Sequence, residues 1–113
     1  MQLTLSLVLL TLTSYRSVPE QTDNSPFYTS IGHRVSQQGA AISTDLLASG
    51  TVCYGDVLLI PGIGARVAND VMNPRHKKHI DIWVATEAEE AAIGWRNNVP
   101  MTVIQSPTRR CKK

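Results

Sequence analysis

The fold is decided by residues 67–84, whose sequence is VANDVMNPRHKKHIDIWV. This stretch is typical of a strand that ends at Asp70, a polar turn, and a second strand that carries Asp81. Over 79–84 aliphatic side chains alternate with polar or aromatic ones, which places the two kinds on opposite faces of a strand. Because Asp is depleted from strands, Asp81 needs a reason other than strand formation. We interpret the stretch as a hairpin-like segment with a candidate functional acid.

The composition bounds what the chain can be. Its 113 residues predict one domain, and the low aromatic content of 5% predicts a core of Val, Ile, Leu and Ala. The net charge of +2 is too small to imply a nucleic-acid partner. The basic residues concentrate in the turn 75–78 and the tail 106–113. These two segments are either a solvated turn and a disordered end, or they attract an anionic polymer such as cell wall or nucleic acid. No aromatic residues interleave with the charges, so no specific nucleic-acid partner is predicted.

Two cysteines, Cys53 and Cys111, leave two interpretations open. They form one disulfide if the chain is exported, or they are two unrelated free thiols. His76 and His79 lie three residues apart but lack further soft ligands nearby. We therefore predict no metal site and no cofactor.

The first residues also have two interpretations. Residues 1–12 resemble the apolar part of a signal peptide, but they are too short to span a membrane and lack a basic start and a small-residue cleavage site. Leu3, Leu5 and Leu7 alternate with polar residues, which favours the start of a first strand, with 1–9 as the ambiguous part. A signal would place the protein in the periplasm, the cell wall or the medium. A strand would leave it in the cytoplasm until release, as in a phage-type lysis protein.

The remaining pattern predicts a mainly β protein, a small closed β-barrel of six strands with one short helix. The helix runs from Thr86 to Ile93, with Glu89 completing a capping box and Gly94 ending it. One helical turn is predicted over 45–49. The predicted strands or extended pieces cover 7–15, 27–32, 40–43, 57–60, 65–69, 79–84 and 99–105.

Several short motifs then point to a family. In chain order they are Thr13-Ser14-Tyr15, Thr29-Ser30-Ile31-Gly32, Ala41-Ile42-Ser43-Thr44-Asp45, Tyr54-Gly55-Asp56-Val57, Asn69-Asp70 and His79-Ile80-Asp81-Ile82-Trp83. Together they resemble the 3D domain, named for three aspartates, a double-psi β-barrel that is similar to the barrel domain of membrane-bound lytic transglycosylase A. The resemblance covers residues 10–105. The turn 71–78 departs from it, because the glycines usual in the family are missing there.

The resemblance implies a set of site residues. The three aspartates are Asp45, Asp70 and Asp81, and the catalytic acid maps to Asp81. Tyr15 and Thr29 map to the groove of the family. From the residues themselves, Asp45 is equally well explained as the cap of the turn after it, and Asp70 as a partner of the backbone of the turn it opens.

Two tryptophans complete the candidate set. Trp83 and Trp95 are candidates to stack on sugar rings, with a place in the core as the alternative. Trp83 lies on the same strand face as Asp81 and is a candidate to desolvate it.

The family implies a specific reaction. A lytic transglycosylase, a lyase of peptidoglycan, cuts the bond between N-acetylmuramic acid and N-acetylglucosamine with one carboxyl group and leaves a 1,6-anhydro ring. Such an acid needs a raised pKa. Asp70 and Trp83 would raise the pKa of Asp81, whereas His79 and the basic turn 75–78 would lower it.

We therefore expect peptidoglycan glycan strands as the substrate of a monomer that has no stable membrane span. The alternative is a barrel that binds glycan without cutting it, because a fold does not determine a function.

Overall fold

The computed structural model describes residues 3–16 and 38–112. Over these residues the protein is mainly β, a closed barrel of six strands in the order β1-β5-β2-β4-β3-β6. The fold class predicted from the sequence is thus confirmed. The elements are β1 Leu5–Tyr15, β2 Gly39–Ile42, α1 Thr44–Ser49, β3 Val57–Ile60, β4 Gly64–Val71, β5 His79–Trp83, α2 Glu87–Ile93 and β6 Arg96–Ile104. The predicted extended piece at 27–32 lies outside the described residues.

The strands β4 and β5 do not form the predicted hairpin. Strand β2 lies between them, parallel to β4 and antiparallel to β5. All four residues of β2 are buried, as expected of a central strand that pairs on both sides. Ala41 is the register partner of both Asp70 and Asp81, so the two acids flank it on neighbouring strands.

The barrel interior is aliphatic, as the composition predicts. Strand β5 follows the predicted alternation, with Ile80 and Ile82 fully buried in the core and Asp81 on the opposite face. Burial of this kind stabilises by about 1.5–3 kcal/mol for each large side chain. The largest fully buried aliphatic side chains are Leu12, Ile42, Val52, Leu58, Ile80, Ile82, Met101 and Val103.

The part of the chain that the structure describes has two helices, one more than predicted. The additional one is α1, where the predicted turn over 45–49 extends to six residues and ends at Gly50, which has a left-handed φ of 75°. Helix α2 begins as predicted. The hydroxyl of Thr86 accepts a hydrogen bond from the backbone N–H of Glu89 and donates one to its carboxylate. Neither described helix is long and apolar enough to cross a membrane.

The basic tail is docked on the barrel, which corrects the expectation of a disordered end. Cys53 and Cys111 form a disulfide, so the free-thiol interpretation is wrong. Beside it Arg109 makes a two-point ion pair with the fully buried Asp56, at 3.2 Å (Nε to Oδ1) and 2.7 Å (Nη2 to Oδ2). Asp56 also accepts hydrogen bonds from two backbone N–H groups. A buried carboxylate requires this degree of pairing.

Candidate functional site

A row of four residues crosses the outer face of the barrel. Thr13 on β1 is the register partner of Asp81 on β5, and Ala41 on β2 connects Asp81 to Asp70 on β4. The chain neighbours of Thr13, Ala41 and Asp81 include core residues, so these three side chains point outward. Asp70 follows a register irregularity in the β2–β4 pair, and Val71 after it packs against the core. With neighbouring strands about 4.8 Å apart, the two acids lie about 10 Å apart at their Cα atoms. Two of the three predicted aspartates therefore share one face.

Asp81 is held in place by hydrogen bonds. Oγ1 of Thr13 lies 2.9 Å from Oδ1 of Asp81, and Nε2 of His79 lies 2.7 Å from the same hydroxyl. An ionised Asp81 can only accept hydrogen bonds, so the single hydroxyl hydrogen of Thr13 is donated to Oδ1 of Asp81. Nε2 of His79 must then carry a hydrogen and donate it to Thr13. The chain of donors therefore runs from His79 through Thr13 to Asp81.

His79 is buried and remains neutral in this arrangement. Its ring packs edge-on against Trp95 and His76, with centroids 5.2 Å and 5.1 Å away. Burial lowers the pKa of His79, and the charge of His76 lowers it further. A neutral ring with a hydrogen on Nε2 is a fixed donor for Thr13.

The carboxyl of Asp81 has the raised pKa that an acid catalyst needs. Burial raises its pKa to about 6, against the hydrogen bond from Thr13, which lowers it. The charges of Glu90 and Asp70 raise it further. The basic residues of the turn 75–78 have no part in this shift. Asp81 therefore holds its proton in mildly acidic solution and exchanges it near neutrality.

Tyr15 and Trp83 lie beside this acid. They are register partners on β1 and β5, two residues beyond Thr13 and Asp81, so they share the outer face. Burial raises the pKa of the Tyr15 hydroxyl, and the charges of Asp70 and Asp81 raise it further. Tyr15 therefore keeps its proton and can act as a hydrogen-bond donor. Thr29, the other predicted groove residue, lies outside the described residues.

Asp45 is placed elsewhere. Its carboxylate accepts hydrogen bonds from the backbone N–H of Lys78, at 3.1 Å and 3.3 Å, where the turn enters β5. Lys78 has a left-handed φ of 47°, which is uncommon for a residue with a side chain. Burial acts to raise the pKa of Asp45, but hydrogen bonds from Ser43 and Lys78 and the charge of Lys77 outweigh it, so the pKa is lowered. Asp45 thus holds the turn that the resemblance could not account for.

Asp70 has local and longer-range contacts. Its Oδ1 accepts a hydrogen bond from the backbone N–H of Val71 at 2.8 Å, close to the backbone role that the sequence left open. Its charge nevertheless acts on both Tyr15 and Asp81. The structure therefore brings Asp70, Asp81, Tyr15 and Trp83 to one face and leaves Asp45 at its edge.

Three residues of the site were missed from the sequence. Thr13 could have been found, because it lies two positions before Tyr15 on a predicted strand and so shares its face. The sequence marks His79 only as a metal ligand, which lacks further ligands nearby, or as a charge near Asp81. Glu90 is half-buried on α2 and ion-paired with Arg16 at 3.1 Å, and no sequence signal marked it.

Trp95 is not a core residue. Its side chain is 64% exposed, and its Nε1 donates a hydrogen bond to Oδ1 of Asn97 at 2.9 Å, which holds the ring in place. With one edge against His79, it presents a flat apolar surface near the row.

No group of three or more potential metal ligands occurs among residues 3–16 and 38–112. Comparison with models of known protein families gives no match. Comparison with curated protein sequences gives none either. The geometry of this face is therefore the evidence for function.

Proposed function

We propose that the protein cleaves peptidoglycan glycan strands as a lytic transglycosylase. The observation that carries the proposal is Asp81, a mid-strand acid fixed by Thr13 with a pKa raised to about 6. A closed barrel with two parallel strand pairs, β1–β5 and β2–β4, supports the resemblance to the three-aspartate, double-psi family.

In the proposed reaction, Asp81 acts first as acid and then as base. It gives its proton to the glycosidic oxygen as the bond from the muramoyl anomeric carbon breaks. The muramoyl 6-hydroxyl then attacks that carbon, and its proton returns to Asp81. The products are a 1,6-anhydro ring and a free hydroxyl on the leaving sugar, and no water is consumed. A carboxyl that titrates near 6 can perform both steps.

The neighbouring residues have supporting roles in this proposal. Thr13 occupies Oδ1 of Asp81, which leaves Oδ2 for the substrate proton. Tyr15 is a protonated donor for a developing oxygen charge or a sugar hydroxyl. Trp83 and Trp95 are platforms for sugar rings.

The disulfide supports a location outside the cytoplasm. Disulfides persist in oxidising compartments such as the periplasm or the cell surface. Cys53 and Cys111 are paired, and the part of the chain that the structure describes has no free cysteine. We propose that the protein works where its cell-wall substrate is.

The test is product analysis with purified peptidoglycan. We expect 1,6-anhydromuropeptides in the soluble fraction, with a rate that falls about tenfold per pH unit above pH 6 as Asp81 loses its proton. Asp81→Asn should abolish the products. Glu87→Gln, an exposed charge change on α2, should leave the rate unchanged. Absence of anhydro products with the wild-type protein would disprove the enzymatic proposal.

A second candidate function is glycan binding without cleavage, favoured by the exposed and anchored ring of Trp95. Under this alternative, insoluble peptidoglycan retains the protein, Trp95→Ala abolishes retention, and no anhydro products form. Aromatic rings of this kind contribute large contact area at low entropic cost.

A further inference from the structure

One edge of β1 has no neighbouring strand in the part of the chain that the structure describes. Strand β6 pairs with β1 from Leu5 to Leu12. On the other side, β5 pairs only from Thr11 to Tyr15. Among the described residues, the segment Leu5–Leu9, which we call the β1 edge, is therefore paired on one side only.

The backbone groups at this edge have a definite direction. The N–H of Thr11 donates to the carbonyl of Lys78 on the β5 side, and the carbonyl of Thr4 accepts from Gln105 on the β6 side. In a strand, the backbone N–H and C=O groups of successive residues point alternately to its two sides. Those of Leu5, Leu7 and Leu9 therefore point away from β6. Such a row is a template for pairing with another strand.

The same three residues present apolar side chains to solvent. Leu5, Leu7 and Leu9 are 58%, 72% and 58% exposed, and Leu3 is 65% exposed. Natural strand edges are usually protected by charges, prolines or short length. Residues 3–9 contain no charged residue and no proline. An unprotected apolar edge of this kind indicates an occupant.

We propose that the occupant is a second copy of this chain, joined by antiparallel pairing of the two β1 edges about a two-fold axis at Leu7. In this register Leu7 faces Leu7 of the partner subunit, and Leu5 faces Leu9 of the partner subunit. Each facing pair exchanges both backbone hydrogen bonds, so the row is self-complementary, as a two-fold interface requires. The leucines then lie side by side on one face of a continuous sheet.

Charge favours this occupant over a lipid surface, and area sets its strength. At roughly 100 Å² of apolar surface for each exposed leucine, the four leucines present about 400 Å². This is half of the about 800 Å² that each partner buries in a standard interface, so the area predicts a weak dimer that forms reversibly with rising concentration. A segment that binds a lipid surface usually carries Lys or Arg beside its apolar residues. Residues 3–9 contain neither, which disfavours a lipid surface as the occupant.

The proposed dimer leaves the candidate site open. Thr13 and Tyr15 lie in the half of β1 that is already paired with β5, beyond the β1 edge. Dimerisation and glycan cleavage can therefore be measured separately. The sequence alone predicts a monomer, and the edge that no other described strand covers is visible only in the fold.

The first test is molar mass by light scattering over a roughly hundredfold range of concentration. We expect the mass to rise towards twice that of the 12.4 kDa chain. Leu7→Lys places two like charges opposite each other and should weaken association by roughly tenfold to a hundredfold. Leu59→Lys, which changes an exposed leucine on the same face but away from the edge, should still dimerise.

The second test checks the register. In the proposed pairing the Cα atoms of Leu7 in the two copies lie about 5.5 Å apart, within reach of a disulfide. Leu7→Cys should therefore cross-link under mild oxidation, whereas Leu5→Cys, which faces Leu9 of the partner subunit, should not. The native disulfide leaves no competing thiol among the described residues.

A monomeric wild-type chain at every concentration would overturn the proposal. So would a Leu7→Lys variant that associates like wild type, or a Leu5→Cys variant that cross-links as well as Leu7→Cys. Each variant is first checked by circular dichroism and intact mass, so that a folded, full-length chain is compared.

Discussion

Replacing Asp81 by Asn should make the protein more stable at neutral pH while removing the proposed activity. The amide has the shape of the carboxyl, and its oxygen can still accept the hydrogen bond from Thr13. The substitution replaces Oδ2 by an NH2 group and removes the ability to ionise in a site that disfavours a negative charge.

The size of the effect follows from the pKa. The pKa of Asp81 is about 6 in the folded protein, against 3.8 for an Asp side chain in water. A folded-state pKa above the unfolded value gives stability that is full below pH 3.8 and is lost as pH rises through 6. Two pKa units correspond to about 3 kcal/mol, an upper figure because the site is not fully buried. The Asn variant does not undergo this loss.

The measurement is urea unfolding of both proteins between pH 3 and 8. The free energy of unfolding of Asp81→Asn minus that of the wild type should rise with pH and level off above pH 7. The control is Asp45→Asn, for which the sign is opposite. The folded pKa of Asp45 is lowered, so its carboxylate stabilises at neutral pH and this stability is lost in acid. If the difference in free energy of unfolding between Asp81→Asn and the wild type does not change with pH, burial does not raise the pKa of Asp81 as described.

Three further predictions concern the tail and the site. Arg109→Met should cost about 3 kcal/mol in urea unfolding, because it leaves the buried carboxylate of Asp56 without its cation, and a loss below 1 kcal/mol would contradict this. Cys111→Ser should cost about 4 kcal/mol, because the disulfide joins residues 58 apart, and a reducing agent should destabilise the wild type but not the variant. Thr13→Val should raise the pKa of Asp81 above 6 in a carbon-detected carboxyl titration, because it removes the hydrogen bond that favours the ionised form, and an unchanged or lower value would contradict this.

Local patterns predicted the elements well because their causes are local. The alternation over 79–84 predicted which face of β5 is buried, since period two is a property of any strand. The hydroxyl of Thr86 and the charge of Glu89 predicted the start of α2, since the cap is formed within four residues. The carboxyl of Asp81 was singled out because an acid is rare in the middle of a strand.

Contacts between distant parts of the chain were not predictable in this way. The sequence favoured a hairpin from β4 to β5, but the short buried strand β2 inserts between them and brings Asp70 and Asp81 to either side of Ala41. The role of Asp45 could not be predicted from local sequence either, because its partner is a backbone N–H 33 residues away.

Sequence patterns alone were enough to predict a small β-barrel with an acid on the outer face of one strand. The contacts of that acid, the docking of the tail through Arg109 and a disulfide, and the edge of β1 that no other described strand covers all depend on the tertiary structure. The physical reason is that alternation and capping act over a few residues, whereas strand order, ion pairs and disulfides depend on which distant segments meet when the barrel closes.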